Sequence, residues 1–223
     1  MICKNGYNII LYRYNIILYN GILLAGLVCV LFFYPSALVE ILTILAGAAF
    51  LFHFFFFRDP DRNIPEGEKI VISPADGKVI KITKIEENNY LHAESIMVSI
   101  FMSVFNVHVN RIPISGKVEY LEHKAGQYKA AFEDSASDLN EQSLIGIKTP
   151  YSKILVKQVA GVLARRIVNI LKKGDDVKSG ERFGMIKYGS RLDIFLPLSS
   201  EIDVKINDKV KAGVSILGRL RNQ

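Results

Sequence analysis

The chain has 223 residues, of which 28 are lysine or arginine and 22 are aspartate or glutamate, for a formal net charge of +6. Because this basic excess is spread along the chain, with no lysine/arginine block and little aromatic interleaving, the composition argues against a nucleic-acid-binding protein. Both cysteines, Cys3 and Cys29, fall in the first 57 residues, which excludes a disulfide framework, a thiolate metal site and a cysteine nucleophile from the rest of the chain.

Two long apolar runs occupy the front of the chain, over residues 16–34 and 36–57. Each approaches the roughly 20 residues that a helix needs to cross the hydrocarbon core of a bilayer. The apolar length is too great for a signal peptide, and no small-residue cleavage site follows it. We therefore predict that residues 1–57 form a helical hairpin that anchors the protein to a membrane. Whether the hairpin spans the bilayer or lies within it stays open.

Basic residues flank this anchor on both sides: Lys4 and Arg13 precede it, and Arg58 and Arg62 follow it. Cytoplasmic flanks of membrane helices carry an excess of such residues. The flanks predict that both ends of the hairpin, and the rest of the chain, lie on the cytoplasmic side of the inner membrane. The mildly basic remainder suits an anionic membrane surface, although the same charge serves solubility equally well.

The remainder, residues 58–223, opens with a polar, proline-bearing linker and continues mainly as short strand-like segments. Alternating apolar residues between turn residues predict strands, at residues 69–73, 78–85, 95–102, 107–112, 116–121, 144–149, 154–159, 190–198, 202–206 and 210–217. Apolar spacing over residues 162–171 predicts a helix instead. We expect a mainly β (α+β) fold. The helical hairpin precedes a β-sandwich-like body that also contains one or two helices.

Gly189-Ser190 is the only Gly-Ser dipeptide in the chain, and strand-like sequence follows it directly. A glycine carbonyl is open to attack by a neighbouring hydroxyl, and glycine backbone tolerates strain. If the hydroxyl of Ser190 attacked this carbonyl, the chain would pass through an ester and break. Elimination and hydrolysis would then convert Ser190 into a pyruvoyl group. Taken alone, the dipeptide is more often a solvated turn before a strand.

Two further residues are candidates for chemistry. Asp76, in the turn at residues 73–77, either stabilises that turn locally or orients a histidine or hydroxyl. Among the four histidines, His108 stands apart, because in a strand it would share one face with Asn106 and Asn110 while the neighbouring valines face the core. That polar row fits a site or a solvated sheet face equally. No metal box, P-loop or dinucleotide fingerprint is present, so an enzyme here would have to make its electrophile in place.

Several motifs occur together in one order. They are the apolar front, Phe57-Arg58-Asp59-Pro60, Ser73-Pro74-Ala75-Asp76-Gly77, Phe101-Met102-Ser103 with Val107-His108-Val109-Asn110-Arg111, Ala164-Arg165-Arg166-Ile167, and Phe183-Gly184 through Gly189-Ser190. In this order and spacing, the chain resembles the phosphatidylserine decarboxylase proenzymes of the short bacterial and archaeal branch. The resemblance covers essentially the whole chain.

The resemblance implies a pyruvoyl-dependent lyase of phospholipid biosynthesis that converts phosphatidylserine to phosphatidylethanolamine and carbon dioxide. In such a zymogen, Ser190 would attack the Gly189 carbonyl, and His108 together with Asp76 would remove the proton of the Ser190 hydroxyl. Cleavage would leave a β chain, residues 1–189, bound to an α chain, residues 190–223. The amine of the lipid would form a Schiff base with the new pyruvoyl group, and His108 would protonate the carbanion left by carbon dioxide. Whether this heterodimer assembles further stays open.

The sequence departs from the family pattern at one position. Longer relatives carry two histidines spaced His-x-x-His, whereas this chain has His108 followed by Arg111. Arg111 either binds the lipid phosphate or carboxylate through its planar guanidinium or forms a structural salt bridge. Two other functions stay open: a non-enzymatic, membrane-anchored β-sandwich adaptor, and a pyruvoyl decarboxylase of a soluble amino acid.

Overall fold

The structure is a computed structural model that describes residues 4–126, 140–161, 167–186 and 190–221, with side chains from residue 14 onward. The chain divides into two compact units, Met1–Asp59 and Pro60–Gln223. We call the second unit the body.

The first unit consists of two helices in contact with each other, α1 (Lys4–Phe33) and α2 (Ala37–Phe56). Ser36 has extended backbone and its hydroxyl accepts a hydrogen bond from the amide of Val39 at 3.4 Å, which caps the start of α2. The segments Tyr14–Phe33 and Ala37–Phe56 are each long and apolar enough to cross a membrane. The predicted pair of apolar helices, with a break at residues 34–36, is confirmed.

The described residues of the body form fourteen strands that pair antiparallel throughout. In chain order they are β1 (Ile70–Ile72), β2 (Gly77–Glu87), β3 (Ala93–Met102), β4 (Val109–Arg111), β5 (Gly116–Lys124), β6 (Gln142–Lys148), β7 (Lys153–Ala160), β8 (Ile167–Asn169), β9 (Asp176–Val177), β10 (Arg182–Ile186), β11 (Ser190–Pro197), β12 (Glu201–Ile202), β13 (Lys209–Val210) and β14 (Ile216–Arg219).

Eight of these strands make one curled sheet in the order β13-β2-β3-β11-β7-β6-β5-β9, and two three-stranded sheets, β1-β14-β12 and β4-β10-β8, complete the described body. The strand β11 is buried along nearly its whole length at the middle of the large sheet. Its alternate residues Leu192, Ile194 and Leu196 face the main hydrophobic core. Phe195 belongs to a smaller cluster on the opposite face.

The mainly β architecture confirms the predicted fold class, and most predicted strands occur within a few residues of their expected bounds. The helix predicted over residues 162–171 is wrong at its second half, where Ile167–Asn169 is a strand paired with β10. Residues 162–166 lie outside the described part of the chain, and the described body contains no helix. The segments predicted at 202–206 and 210–217 form only short strands, because a turn containing Gly213 at φ +77° interrupts the second.

Candidate active site

Ser190 begins the central strand β11, where it is flanked by Met102 of β3 and Ala160 of β7. The residue is fully buried, and its hydroxyl oxygen has no hydrogen-bond partner in the described part of the chain. Most buried hydroxyls are hydrogen-bonded, and an exception is explained by strain, by a catalytic role or by a bound water or ion. The start of β11 therefore holds a hydroxyl group in a buried position. Gly189, the other half of the predicted cleavage site, lies outside the described residues.

His108 lies in the connection between β3 and β4 and is also fully buried. Its Nδ1 is 2.9 Å from the carbonyl oxygen of Asn106. Since a carbonyl only accepts hydrogen bonds, Nδ1 carries the proton in this contact and the neutral ring keeps a lone pair on Nε2. The backbone thus fixes the tautomer in which Nε2 can act as a base.

An amide cluster joins the strand after His108 to both neighbours of Ser190. The Nδ2 of Asn110 lies 3.7 Å from the sulfur of Met102, and the Nε2 of Gln158 donates to Asn110 Oδ1 at 2.8 Å. Met102 is the β3 partner of Ser190, and Gln158 stands two residues before its β7 partner. The structure therefore brings the His108 segment over the start of β11.

The polar row at His108 is not a solvated sheet face. Residues 107–112 are all buried, on both sides of the chain, and only Val109–Arg111 is a strand. The expected alternation fails because β4 pairs with β10 while it also packs on the large sheet, so that neither of its faces meets solvent. Burial excludes the solvated sheet face, one of the two interpretations that the sequence left open, and the site stays a prediction.

Asp76 occupies the turn before β2 and is nearly buried. Its two carboxylate oxygens accept hydrogen bonds from Nη2 of Arg62 at 3.0 and 2.9 Å, and Oδ1 also accepts one from the amide of Ala212 at 2.7 Å. Within the described residues, His108 is not among the hydrogen-bond partners of this carboxylate. Asp76 therefore ties the linker at Arg62 and the turn at Ala212 to the start of β2.

Arg111 ends β4 and is buried. Its guanidinium donates to the carbonyl oxygens of Gly180 at 3.0 Å and of Pro60 at 3.2 Å. Its own amide donates to the carbonyl of Pro74, two residues before Asp76, at 2.9 Å. These contacts make Arg111 a brace between three segments of the body.

Comparisons with known proteins give the family of this chain. The family model described as phosphatidylserine decarboxylase matches residues 49–218. The chain belongs to the phosphatidylserine decarboxylase family. A protein of Carboxydothermus hydrogenoformans named phosphatidylserine decarboxylase proenzyme is 46% identical over 181 residues, covering 81% of this chain and 85% of that protein. A protein of the same name from Syntrophus aciditrophicus is 49% identical over 178 residues, covering 79% of this chain and 84% of that protein. Another from Chlorobium phaeobacteroides is 40% identical over 208 residues, covering 93% of this chain and 98% of that protein.

Membership of the decarboxylase family makes the protein an enzyme, which removes the non-enzymatic adaptor from the open alternatives. A cavity of about 640 Å³, lined among others by Tyr151 and Leu198, lies beyond the far end of β11. That end is about 23 Å from Ser190, at the rise of an extended strand. No cluster of histidine, cysteine, aspartate or glutamate able to hold a metal ion occurs among the described residues.

Sequence reasoning missed a buried polar group on the other face of β11 in this decarboxylase. The Nε of Arg191 donates to Asp193 Oδ1 at 2.6 Å and its Nη2 donates to Ser99 Oγ at 2.9 Å, with both charged side chains essentially inaccessible to solvent. The signal was present, because Arg191 and Asp193 are charged residues in an otherwise apolar strand directly after Ser190. By the alternation of a strand, the pair lies on the face of β11 opposite the side chain of Ser190.

Proposed function

We propose that this protein is a pyruvoyl-dependent phosphatidylserine decarboxylase whose precursor cleaves itself between Gly189 and Ser190. The observation that carries the proposal is the fully buried hydroxyl of Ser190, which lacks a hydrogen-bond partner among the described residues, in a chain of this family. The word proenzyme in the names of the relatives agrees with a processed precursor.

In the proposed cleavage, Nε2 of His108 accepts the proton of Ser190 as the hydroxyl oxygen attacks the carbonyl carbon of Gly189. The peptide C–N bond breaks, an ester forms, and the nitrogen of residue 190 becomes an amine. Elimination then releases the carboxyl group of residue 189, which ends the β chain. Tautomerisation and hydrolysis consume one water and release ammonia, and they leave a pyruvoyl group at the start of the α chain, residues 190–223.

The position of Ser190 fits such a group. The side chain is enclosed between Met102 and Ala160 in the core, so an α-keto amide there would be shielded from water and held by two strands. When present, the pyruvoyl group supplies the electron sink for a decarboxylation. The part of the protein is to exclude water, to orient the lipid amine and to deliver a proton. We assign that proton to Nε2 of His108, whose tautomer the Asn106 carbonyl fixes.

We propose that Asp76 and Arg111 act by position. The carboxylate of Asp76 and the guanidinium of Arg111 are both engaged with the linker at residues 60–62, through Arg62 and the Pro60 carbonyl. These contacts attach the end of β4 to the linker, and we propose that they thereby keep His108, which precedes β4, in position. Binding of the lipid phosphate or carboxylate by Arg111 would require exchange of its carbonyl contacts for the ligand.

The substrate is a membrane lipid, and the two apolar helices give the protein the means to reach it. Both are long and apolar enough to cross a membrane. We propose that they anchor the enzyme in the inner membrane, with the body on the cytoplasmic side, as the basic residues on both flanks of the hairpin predict.

The test is carbon dioxide release by the purified full-length chain from phosphatidylserine and, separately, from free serine. We expect release from the lipid, with phosphatidylethanolamine as the second product, and none from serine. Equal turnover of free serine would favour the decarboxylase of a soluble amino acid. Absence of turnover from either substrate in correctly processed protein would refute the proposed reaction.

A further inference from the structure

The loop between β3 and β4 is closed by hydrogen bonds among its own residues. The side-chain oxygen of Asn106 accepts hydrogen bonds from the amide and the hydroxyl of Ser103, at 2.9 and 2.8 Å, and the amide of Asn106 donates back to the Ser103 carbonyl at 3.0 Å. The carbonyl of Asn106 meets His108 Nδ1. A loop closed by this many local hydrogen bonds presents its tip in one conformation.

Phe105 lies at the tip of this loop and is 69% exposed. Among the described residues of the body, the other exposed large apolar side chains are Ile85, Leu121, Leu198 and Ile206, and each is less exposed than Phe105 and aliphatic. A single exposed apolar residue is ordinary. An aromatic ring that is mostly exposed on a loop closed by local hydrogen bonds, three residues before buried His108, is a specific arrangement that suits an apolar surface outside the protein.

Two exposed lysines stand at the same end of the large sheet. Lys78 of β2 is the register partner of Phe101, near the end of β3, and Lys209 of β13 is the register partner of Lys78. Register partners in an antiparallel sheet stand about 5 Å apart. The end of β3 that leads into the loop of Phe105 is therefore bordered by two positive charges.

We propose that Phe105, Lys78 and Lys209 form a membrane-docking surface that holds the active-site end of the body against an anionic bilayer. Aromatic rings partition to the headgroup region of bilayers, and lysines beside them are attracted to anionic lipids. The inference rests on the proposed function, because only an enzyme whose substrate lies in the bilayer gains from turning its site toward it. It goes beyond the proposed role of the apolar helices, which concerns only the attachment of the chain to the membrane.

The chain contains no tryptophan, so a single introduced indole reports on one place. We would place F105W and, as a matched control, L198W at the opposite end of β11, in full-length protein reconstituted into phosphatidylcholine vesicles with phosphatidylglycerol, an anionic lipid that is not the substrate. F105W should show blue-shifted emission and quenching by brominated phosphatidylcholine, and L198W should show neither. Emission and quenching of F105W that match those of L198W would overturn the docking surface.

Activity gives an independent measure. F105S should cleave itself normally and turn over monomeric, short-chain phosphatidylserine normally, but its turnover of phosphatidylserine in vesicles should fall about tenfold, since burial of a phenylalanine is worth at least that factor. L198S should leave all three unchanged. A loss of cleavage or of short-chain turnover in F105S would instead assign the loop a structural role and overturn the proposal.

The lysines are tested with K78Q and K209Q against K84Q, which removes an exposed lysine farther along β2. The first two should weaken the dependence of vesicle turnover on anionic lipid, and the control should not. Equal behaviour of all three would remove the lysines from the surface. If the wild-type chain fails to process or to decarboxylate while F105W still enters the bilayer, the proposed function fails and the docking surface stands.

Discussion

Two serines after the expected cleavage point have buried hydroxyls with no hydrogen-bond partner in the described part of the chain, Ser190 and Ser200. Only Ser190 follows a glycine and starts the central strand. We predict that S190A stays a single, inactive chain because no oxygen remains to attack the peptide bond. S200A, the matched control, should process normally. Denaturing electrophoresis distinguishes the two, and a processed S190A would refute the chemistry assigned to this hydroxyl.

In the proposed mechanism, His108 acts through the tautomer that its contact with the Asn106 carbonyl sets. We predict that H108A slows self-cleavage, decarboxylation or both by about a hundredfold or more, the usual contribution of a general acid or base. H123A removes an imidazole that is 57% exposed and should change neither rate. Rates are followed by the appearance of the α chain and by carbon dioxide release. Unchanged rates in H108A would take this residue out of the mechanism.

At the scale of elements, the contact between Asp76 and Arg62 fastens the linker to the turn before β2. Removal of one member of a nearly buried ion pair leaves the other charge unpaired, so D76N should lose about 3 kcal/mol of the free energy of unfolding. R62Q should lose a similar amount, and the double variant should lose less than the sum. Urea denaturation measures each value in chains that also carry S190A and therefore stay unprocessed. Self-cleavage is measured separately, in chains that keep Ser190. Normal stability of D76N combined with a loss of self-cleavage would favour a chemical role for Asp76.

The turn between β2 and β3 depends on the carboxylate of Glu87. Burial alone raises its pKa, but the amides of Leu91, Asn89 and Tyr90, which donate to it at 2.7 to 2.9 Å, hold the pKa below the ordinary value of 4.5. A pKa that is lower in the folded than in the unfolded chain adds stability above the ordinary value, and that stability is lost as the pH falls through the folded pKa.

We therefore predict that E87Q is less stable than wild type at pH 7 and that the difference shrinks as the pH drops below about 4.5. Thermal unfolding over a series of acidic buffers measures the effect. E94Q changes an exposed carboxylate of the next strand and is the control. A difference that is constant with pH would show that the charge of Glu87 does not matter to the turn.

The local sequence pattern predicted the elements in which each face of the helix or strand has a single kind of surrounding, either apolar or solvent. The two helices follow from unbroken apolar runs, and the long strands follow from alternation and turn residues. Pattern failed at Ile167–Asn169, because apolar residues at that spacing fit a helix face and a strand edge equally, and pairing with β10 decides for the strand. Pattern also missed that β4 is buried on both faces, since this depends on packing against two sheets.

Ser190 and His108 could be chosen as candidates from the sequence, whereas the residues that contact their segments could not. Gly189-Ser190 and the His108 segment are local motifs. The hydrogen bond between Asn110 and Gln158 joins residues 48 positions apart, and Asp76 meets Ala212 across 136 positions. Such long-range partners follow from the folded topology, and a single sequence carries no direct signal of them.

At the scale of the whole molecule, strands of the expected α chain, residues 190–223, pair with strands of the expected β chain in several places. Its strand β11 pairs with β3 and β7 on either side, β13 pairs with β2, and β14 pairs with β1. A break before Ser190 would leave all these ladders intact. The two chains of the processed enzyme should therefore stay together without a covalent link and separate only when the body unfolds.

The measurement that tests this account most directly is the intact mass of the purified full-length protein, under native and then denaturing conditions. We expect one assembly in the native spectrum and two polypeptides after denaturation, which correspond to residues 1–189 and to residues 190–223 with a pyruvoyl group in place of Ser190. Catalytically active protein that denatures to a single unbroken chain, with residues 189 and 190 still joined, would contradict it.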